Sequence, residues 1–252
     1  MKKKYGLIGY PLGHSFSVDF FNNKFVSENI DAEYRNFEIK DLKELKFVLH
    51  ENPDLCGLNV TLPYKMDVIP LLDSITDNAR NIGAVNVIKF KRGGLFTKLH
   101  LEGHNSDITG FKQSIEPMLN KSHRKALILG TGGASKAIYH GFKQLGLDSM
   151  FVSRKQETDA IMYDEISPEI IEDYTVIVNA TPLGMYPNSH TCPDIPYQFL
   201  TPKHLLYDLI YNPDETLFMK KGKTSGAIVK NGLEMLLLQA FISWEIWNRE
   251  EA

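Results

Sequence analysis

The chain has few cysteines, no excess of basic residues and no long apolar run. Of its 252 residues only two are cysteines, Cys56 and Cys192, which form neither a disulfide framework nor a metal-binding spacing. Such usage is typical of the reducing cytosol, so we expect a cytoplasmic protein. The formal net charge of −3 argues against the basic surface that nucleic-acid-binding proteins usually carry.

Signals for export or membrane insertion are also missing. The apolar run after the N-terminal lysines is too short for a secretory signal peptide. The longest apolar stretch, residues 233–247, is interrupted by Glu234, Gln239 and Glu245 and is too short to span a bilayer. The length of 252 residues is enough for one large or two ordinary domains, and the 43% of hydrophobic residues predicts a globular chain with a sizeable core.

The N-terminal part of the chain alternates between strand and helix signals. Strands are predicted at residues 5–9, 34–39 and 55–58, and helices at 17–27 and 41–50. Ser17 is the predicted N-cap of the first helix. Residues 85–90 and 95–101 flank Gly93 and Gly94, which predicts a β-hairpin.

The pattern changes at Asp107. A helix is predicted at 107–119, followed by five short apolar runs at 126–129, 150–152, 176–178, 205–209 and 227–229. Helical or loop segments separate the runs, which predicts a parallel, doubly wound sheet. We therefore predict an α/β protein with an N-terminal α/β domain at 1–104 and a Rossmann-like domain at 105–232. The final segment, 233–252, is predicted to complete the first domain.

A glycine-rich turn lies between the first apolar run of the second domain and a helical pattern. Glycines there allow a tight turn and close approach to a pyrophosphate, and the following helix N-terminus favours an anion. Ser135 stands where the standard dinucleotide fingerprint has its third glycine, so an ordinary strand-to-helix turn is the alternative. The predicted cofactor-binding residues of this turn are Gly130, Thr131, Gly132, Gly133 and Ala134.

The second run of this domain ends in Ser153, Arg154 and Lys155. Sites for NAD usually carry an acid about 20 residues past the glycine turn, where it binds the ribose hydroxyls. Basic side chains instead attract a 2′-phosphate. The sequence therefore favours NADP, and an exposed basic loop is the alternative.

Lys65 follows an apolar strand, beside Asn59 and Thr61, at the point where open α/β sheets bind ligands. An ordinary solvated lysine is the alternative.

Other polar residues also have two interpretations. Asp107 suits a helix N-terminus, Ser15 and Ser17 suit a helix cap, and Asn86 suits a turn. Gln239, in an apolar helix, is either a satisfied core residue or a pocket ligand.

Seven motifs occur along nearly the whole chain in an order that resembles the shikimate dehydrogenase family. They are YPLGHSFS (10–17), NVTLPYK (59–65), GAVN (83–86), HNSD (104–107), NATPLGM (179–185), YDLIYNP (207–213) and NGLEML (231–236). The resemblance implies reversible reduction of 3-dehydroshikimate to shikimate with NADPH. The first domain would bind the substrate and the second NADP.

The resemblance also implies roles for individual residues. Lys65 and Asp107 would handle the proton. Ser15 and Ser17 would hold the substrate carboxylate, with Tyr211 nearby, and Thr61, Asn86 and Gln239 would bind the ring hydroxyls together with the proton-handling pair. The further cofactor-binding residues would be Asn179, Ala180, Thr181, Leu209 and Gly232.

Two positions depart from the family pattern. Ile108 and Thr109 follow Asp107 where a glycine is usual. Ser153 stands where Asn is frequent, and the further Arg that the family often carries a few residues after this cluster is not found. A quinate or quinate/shikimate dehydrogenase using NAD is therefore one alternative, although a serine at position 17 favours shikimate. A non-catalytic metabolite sensor is another, but Lys65 and Asp107 are both retained. We expect a small-molecule substrate, no nucleic acid or membrane partner, and a monomer or homodimer.

Overall fold

The computed structural model describes residues 2–13, 15–93 and 96–249. It divides into two compact units, Met1–Ser106 with Ala240–Ala252, and Asp107–Gln239. The sequence boundaries proposed above lie after residues 104 and 232, so they differ by two residues at the first point and by seven at the second. His14, Gly94, Leu95 and the last three residues of the predicted 233–252 segment lie outside the described residues.

The first unit contains a mixed sheet and three helices before its C-terminal segment. Its elements are β1 (Lys3–Gly9), α1 (Phe16–Ser27), β2 (Ala32–Glu38), α2 (Leu45–Glu51), β3 (Leu55–Val60), β4 (Ser74–Ile75), α3 (Asp77–Ile82), β5 (Val87–Gly93) and β6 (Phe96–His104). The strand order is β2-β1-β3-β5-β6-β4. Strand β1 runs parallel to β2 and β3, whereas β5 is antiparallel to β3 and β6. The carboxyl ends of β1 and β3 therefore lie at the same edge of the sheet.

Three predicted helices differ in their bounds from the observed ones. Helix α1 begins at Phe16 with Ser15 as its N-cap, so the predicted cap at Ser17 is wrong. The predicted helix at 41–50 is a 3-10 turn, Leu42–Glu44, capped by Asp41 and followed by α2. The predicted helix at 107–119 ends at Ile115, because Pro117 lacks the N–H that a further helical turn requires.

The second unit contains a six-stranded sheet in which all strands are parallel. Its elements are α4 (Asp107–Ile115), β7 (Lys125–Leu129), α5 (Gly133–Leu145), β8 (Asp148–Ser153), β9 (Ala160–Met162), α6 (Pro168–Asp173), β10 (Val176–Asn179), β11 (Leu205–Asp208), α7 (Leu217–Thr224), β12 (Ile228–Lys230) and the beginning of α8 (Leu233–Asn248). The strand order, β12-β11-β10-β7-β8-β9, is that of a doubly wound fold. The predicted fold class is confirmed, and β9 is a sixth strand that the sequence did not reveal.

Both faces of this parallel sheet are buried, which explains why its strands read as continuous apolar runs. Along β7, Ala126 and Ile128 pack on one face with Phe142 of α5. Leu127 and Leu129 pack on the other face with Phe218 of α7. The helices thus cover the two sides and leave the strand ends as the accessible edges.

The C-terminal part of α8 completes the core of the first unit. The Trp247 ring stacks on Tyr5 with a centroid distance of 4.8 Å, and its Nε1 donates to the carbonyl of Ile88 at 3.1 Å. A Cβ at Gly57 would lie 2.3 Å from that nitrogen, so only a glycine lets the indole approach the sheet so closely. Among the described residues, no helix has the length and low polarity that crossing a membrane requires.

Candidate active site

The loop after β3 holds Lys65 at the carboxyl edge of the first unit's sheet. Thr61 continues from β3 and donates its N–H to the carbonyl of Ile8 at 2.9 Å. The carbonyl of Lys65 accepts from the N–H of Val85 at 2.7 Å. The hydroxyl of the buried Tyr64 donates to the carbonyl of Ile39 at 2.7 Å. These bonds fix the backbone on which the half-buried Lys65 side chain is carried.

Hydroxyl and amide side chains form a connected group beside this loop. We call it the hydroxyl–amide network, and its members are Ser17, Tyr34, Asn59, Asn86, Ser106 and Ser243. The hydroxyl of Tyr34 donates to Oδ1 of Asn59 at 2.8 Å, and the side chain of Ser17 is close enough to interact with the same phenol. Nδ2 of Asn59 donates to Oγ of Ser243 at 2.9 Å. Burial raises the pKa of the Tyr34 phenol, which therefore stays protonated as a donor.

Asn86 is at the centre of the network and is only 3% exposed. Its Nδ2 donates to Oγ of Ser106 at 3.0 Å, and its Oδ1 accepts from the N–H of Ser106 at 2.7 Å. The backbone carbonyl of Asn86 accepts from Nδ2 of Asn59 at 3.2 Å. The structure thus brings Asn86 and Ser17 into one network. The alternative interpretations, a turn residue for Asn86 and a helix cap for Ser17, do not explain these contacts.

Ser15 precedes this network at the start of α1. It is the N-cap by backbone conformation, yet its hydroxyl makes no capping hydrogen bond to any part of the chain that the structure describes. An N-cap serine ordinarily uses its hydroxyl to satisfy a free N–H of the first turn. Within the described residues, Ser15 therefore does not use its hydroxyl as a helix cap.

The strand register of the second unit brings the predicted cofactor residues to one edge. Leu129, Asn179 and Asp208 are aligned across β7, β10 and β11, and Val152 of β8 lies opposite Leu129. The residues that follow these strands therefore surround the point between β7 and β10 where the strand order reverses. In open α/β sheets this is where ligands bind.

The glycine turn after β7 fits a dinucleotide pyrophosphate. Gly130 has a φ of +109°, and a Cβ there would lie 3.2 Å from Cγ2 of Thr181, so a side chain is excluded by conformation and by space. Gly132 is the N-cap of the 13-residue helix α5, and no described atom lies within 4 Å of the Cβ it lacks. The buried hydroxyl of Ser135 has no hydrogen-bond partner among the described residues. Open space over free N–H groups at a long helix is what a phosphate requires.

Asn179 anchors the loop after β10. Its Oδ1 accepts from the N–H of Thr181 at 3.1 Å and from the Thr181 hydroxyl at 2.6 Å. Its Nδ2 donates to Oδ1 of Asp208 at 3.0 Å. Asp208 also accepts from the Thr216 hydroxyl at 2.6 Å, and burial raises the pKa of its carboxyl to about 6. Sequence reasoning missed a role for Asp208, although it belongs to the YDLIYNP motif.

Leu209 and Gly232 meet at the same edge. Leu209 donates its N–H to the carbonyl of Asn179 at 3.0 Å. A Cβ at Gly232 would lie 2.1 Å from the carbonyl oxygen of Leu209, so the two segments approach closely only because residue 232 is glycine. The two predicted residues therefore lie in adjacent loops, after β11 and after β12, and Leu209 is hydrogen-bonded to the residue that precedes Ala180.

The end of β8 carries an acidic side chain in addition to the predicted basic cluster. Arg154 and Lys155 are exposed, and the Lys155 N–H donates to Oγ of Ser153 at 3.1 Å. Oγ of Ser153 in turn donates to Oε1 of Glu157 at 2.8 Å. The sequence analysis found no acid at this position, because Glu157 stands four residues beyond the strand end.

The remaining predicted residues belong to the second unit. Asp107, 2% exposed, is the first residue of α4 and directly follows Ser106 in the chain. Tyr211 is half-buried, and burial raises its pKa. Gln239, on α8, is half-buried and is the last residue of this unit. Ser15, Ser17, Thr61, Lys65 and Asn86 belong to the first unit.

Comparison with known proteins identifies close relatives of this chain. A family model described as the shikimate dehydrogenase substrate binding domain matches residues 7–88. Shikimate dehydrogenase (NADP(+)) of Methanosphaera stadtmanae is 34% identical over 96% of this chain and 90% of its own length. The crystal structure of shikimate dehydrogenase from Aquifex aeolicus has a TM-score of 0.86 at 33% identity, covering 100% of this chain and 94% of that one. A Thermus thermophilus shikimate 5-dehydrogenase, solved in complex with NADP(H) and shikimate, has a TM-score of 0.85 at 26% identity, covering 98% and 93%.

Proposed function

This chain belongs to the shikimate dehydrogenase family, and from that membership we propose that it catalyses the reversible, NADPH-dependent reduction of 3-dehydroshikimate to shikimate. The observation that carries the proposal is the buried hydroxyl–amide network beside the loop of Lys65, at the carboxyl edge of a sheet. A sugar-like acid with several hydroxyls needs such convergent donors and acceptors.

Lys65 is proposed to handle the proton together with Asp107. When bound, NADPH supplies the hydride. Reduction of a ketone leaves negative charge on its oxygen, and a cationic lysine both stabilises that charge and can supply the proton. A carboxylate that works with a lysine favours the lysine's charged form. In the oxidative direction the same lysine takes the proton back.

Substrate recognition is proposed to use the start of α1 and the network. Ser15 and Ser17 would bind the carboxylate, because their hydroxyls and the first-turn N–H groups are donors to an anion. Thr61 and Asn86 would bind ring hydroxyls. Tyr211 and Gln239 of the second unit are proposed to contribute to the same substrate.

The cofactor is proposed to bind to the edge of the second unit. The glycine turn, residues 130–134, would hold the pyrophosphate, and Ser153, Arg154 and Lys155 the adenosine side with its 2′-phosphate. The loops formed by residues 179–181, Leu209 and Gly232 would line the nicotinamide side. The assignments rest on the sequence patterns described above and on the position of these residues after the carboxyl ends of β7, β8, β10, β11 and β12.

A steady-state assay of four pairings tests the proposal. Shikimate and quinate are each oxidised with NADP⁺ and with NAD⁺, and shikimate with NADP⁺ is expected to have the highest kcat/KM. Quinate with NAD⁺ as the best pair would favour the quinate dehydrogenase alternative, and no turnover with any pair would favour a metabolite sensor. We further propose a cytoplasmic monomer or homodimer without nucleic-acid partners.

Lys65→Ala provides the matched catalytic test. We expect kcat to fall by about 10²-fold or more, the range attributed to general acid–base catalysis, while KM for shikimate changes little. Lys43→Ala, which removes a lysine with a 92% exposed side chain in the same unit, is the control and should retain full turnover. Near-normal turnover of the Lys65 variant would mean that another group carries the proton.

A further inference from the structure

The loop between β8 and β9 folds back and places a carboxylate on the glycine turn. Oε1 of Glu157 accepts from Oγ of Ser153 at 2.8 Å and from Oγ1 of Thr131 at 3.2 Å. Glu157 also pairs with Ala160 in an isolated β-bridge, just before β9. One carboxylate oxygen thus joins the end of the second strand to the turn proposed to hold the pyrophosphate.

The hydroxyls of Ser153 and Thr131, which donate to Glu157, could equally donate to a bound anion. A carboxylate at the end of the second strand of a doubly wound fold accepts from the ribose 2′-hydroxyl of NAD, and it repels a 2′-phosphate. Arg154 and Lys155, in the same loop, attract that phosphate. This chain therefore combines both kinds of determinant within four residues.

The surroundings of Glu157 form an open cleft. The cleft has a volume of about 420 Å³, and its walls include Thr131, Lys136, Glu157 and Asp159. Lys136 lies in the first turn of α5, so the cleft adjoins the glycine turn. The adenosine side of a dinucleotide held by that turn would therefore lie close to this cleft.

We propose that Glu157 is a specificity-determining residue that weakens the preference of this chain for NADP(H) over NAD(H). The inference rests on the proposed function, because it concerns the cofactor of that reaction. For NADP(H), the carboxylate competes with the 2′-phosphate for the hydroxyls of Ser153 and Thr131. For NAD(H), it offers an acceptor to the free 2′-hydroxyl.

Calorimetric titration of the full chain with two cofactor fragments tests the proposal without catalysis. The probes are adenosine 2′,5′-bisphosphate, which carries the 2′-phosphate, and adenosine 5′-monophosphate, which does not. We expect Glu157→Gln to shift the ratio of the two Kd values toward the bisphosphate by about tenfold, a typical effect of one charge-assisted contact. The ratio of kcat/KM for NADP⁺ and NAD⁺ should shift in the same direction.

Asp159→Asn is the matched control, because it removes an equal charge from the same cleft. It should change the ratio by less than about threefold, since screening weakens charges that make no direct contact. Arg154→Ala should shift the ratio the opposite way. A Glu157→Gln ratio within about twofold of wild type, or an equal shift in Asp159→Asn, would overturn the role of Glu157. A wild-type chain that binds neither probe would overturn the proposed function as well, so the two failures are distinguishable.

Discussion

At the scale of single residues, the substrate side depends on hydroxyls whose orientation is set by neighbours. The side chain of Ser17 interacts with the phenol of Tyr34, so the orientation of its hydroxyl toward a carboxylate depends on that neighbour. Tyr34 is 1% exposed and is held in turn by Asn59, so its position is fixed by packing as well as by polar contacts. We infer that Tyr34 is a positioning residue.

Tyr34→Phe should therefore raise KM for shikimate by about tenfold, the effect of losing one oriented hydrogen bond, and leave kcat within about threefold. Tyr5→Phe is the control. Tyr5 is equally buried and stacks on Trp247, but its hydroxyl is not part of the network. Steady-state assays give kcat and KM for both variants. A fall in kcat of Tyr34→Phe that exceeds its rise in KM would contradict a positioning role.

Single residues were predictable where their signal is local in the chain. Lys65 was proposed from the strand that precedes it, and Gly130 from its place between a strand and a helix. Tyr34 and Ser243 were not predicted, because they meet Asn59 across separations of 25 and 184 residues. Glu157 was missed for a related reason. The loop must fold back before its carboxylate reaches Thr131, 26 residues earlier in the chain.

At the scale of elements, the strands that form apolar runs in the sequence were predictable, whereas β4 and β9 were not. Strands β7, β10 and β11 are buried on both faces, so their sequences are continuous apolar runs. Strand β9 has only three residues, all half-buried, and β4 has only two. Such short strands exist because a neighbouring strand presents unpaired groups, and their own sequence carries little pattern.

The ends of β10 and β11 are joined by a buried carboxylate, and this has a consequence for stability. Asp208 accepts hydrogen bonds from Asn179, Thr216 and the N–H of Ile210, yet burial dominates and raises its pKa from 3.8 to about 6. A pKa that is higher in the folded state means that folding favours the protonated form. The contribution of Asp208 is therefore fully present below about pH 4 and is lost as the pH rises through about 6.

Asp208→Asn should remove this pH dependence. Between pH 4 and pH 7 the free energy of unfolding of the variant should rise relative to wild type by roughly 2–3 kcal/mol, about 1.4 kcal/mol for each unit of pKa shift. Urea denaturation at several pH values measures the difference. Thr216→Ser keeps the hydroxyl donor and should follow the wild-type slope. If the free energy of unfolding of Asp208→Asn and of the wild type changed with pH in the same way, the Asp208 carboxyl would have the same pKa in the folded and unfolded states.

At the scale of the whole molecule, the residues proposed to bind substrate and cofactor are distributed over two units. The first unit carries the start of α1, the Lys65 loop and the hydroxyl–amide network, and the second carries the glycine turn and the end of β8. Each unit has its own sheet and its own buried clusters. Each unit therefore has its own core on which the residues proposed to bind a ligand are carried.

This division predicts separate patterns of protection by the two ligands. Adenosine 2′,5′-bisphosphate should slow amide hydrogen exchange at residues 130–136 and 153–160, and shikimate should slow it at 15–18 and 59–65, because a ligand stabilises the segments that it holds ordered. Shikimate should add protection in the second unit only near Asp107, Tyr211 and Gln239, the residues there that are proposed to bind it. Exchange mass spectrometry with each ligand alone measures both patterns, with the Lys65→Ala variant as a control in which the bisphosphate pattern should persist. Equal protection of 15–18 and 59–65 by the bisphosphate alone would contradict the assignment of the cofactor to the second unit and the substrate to the first.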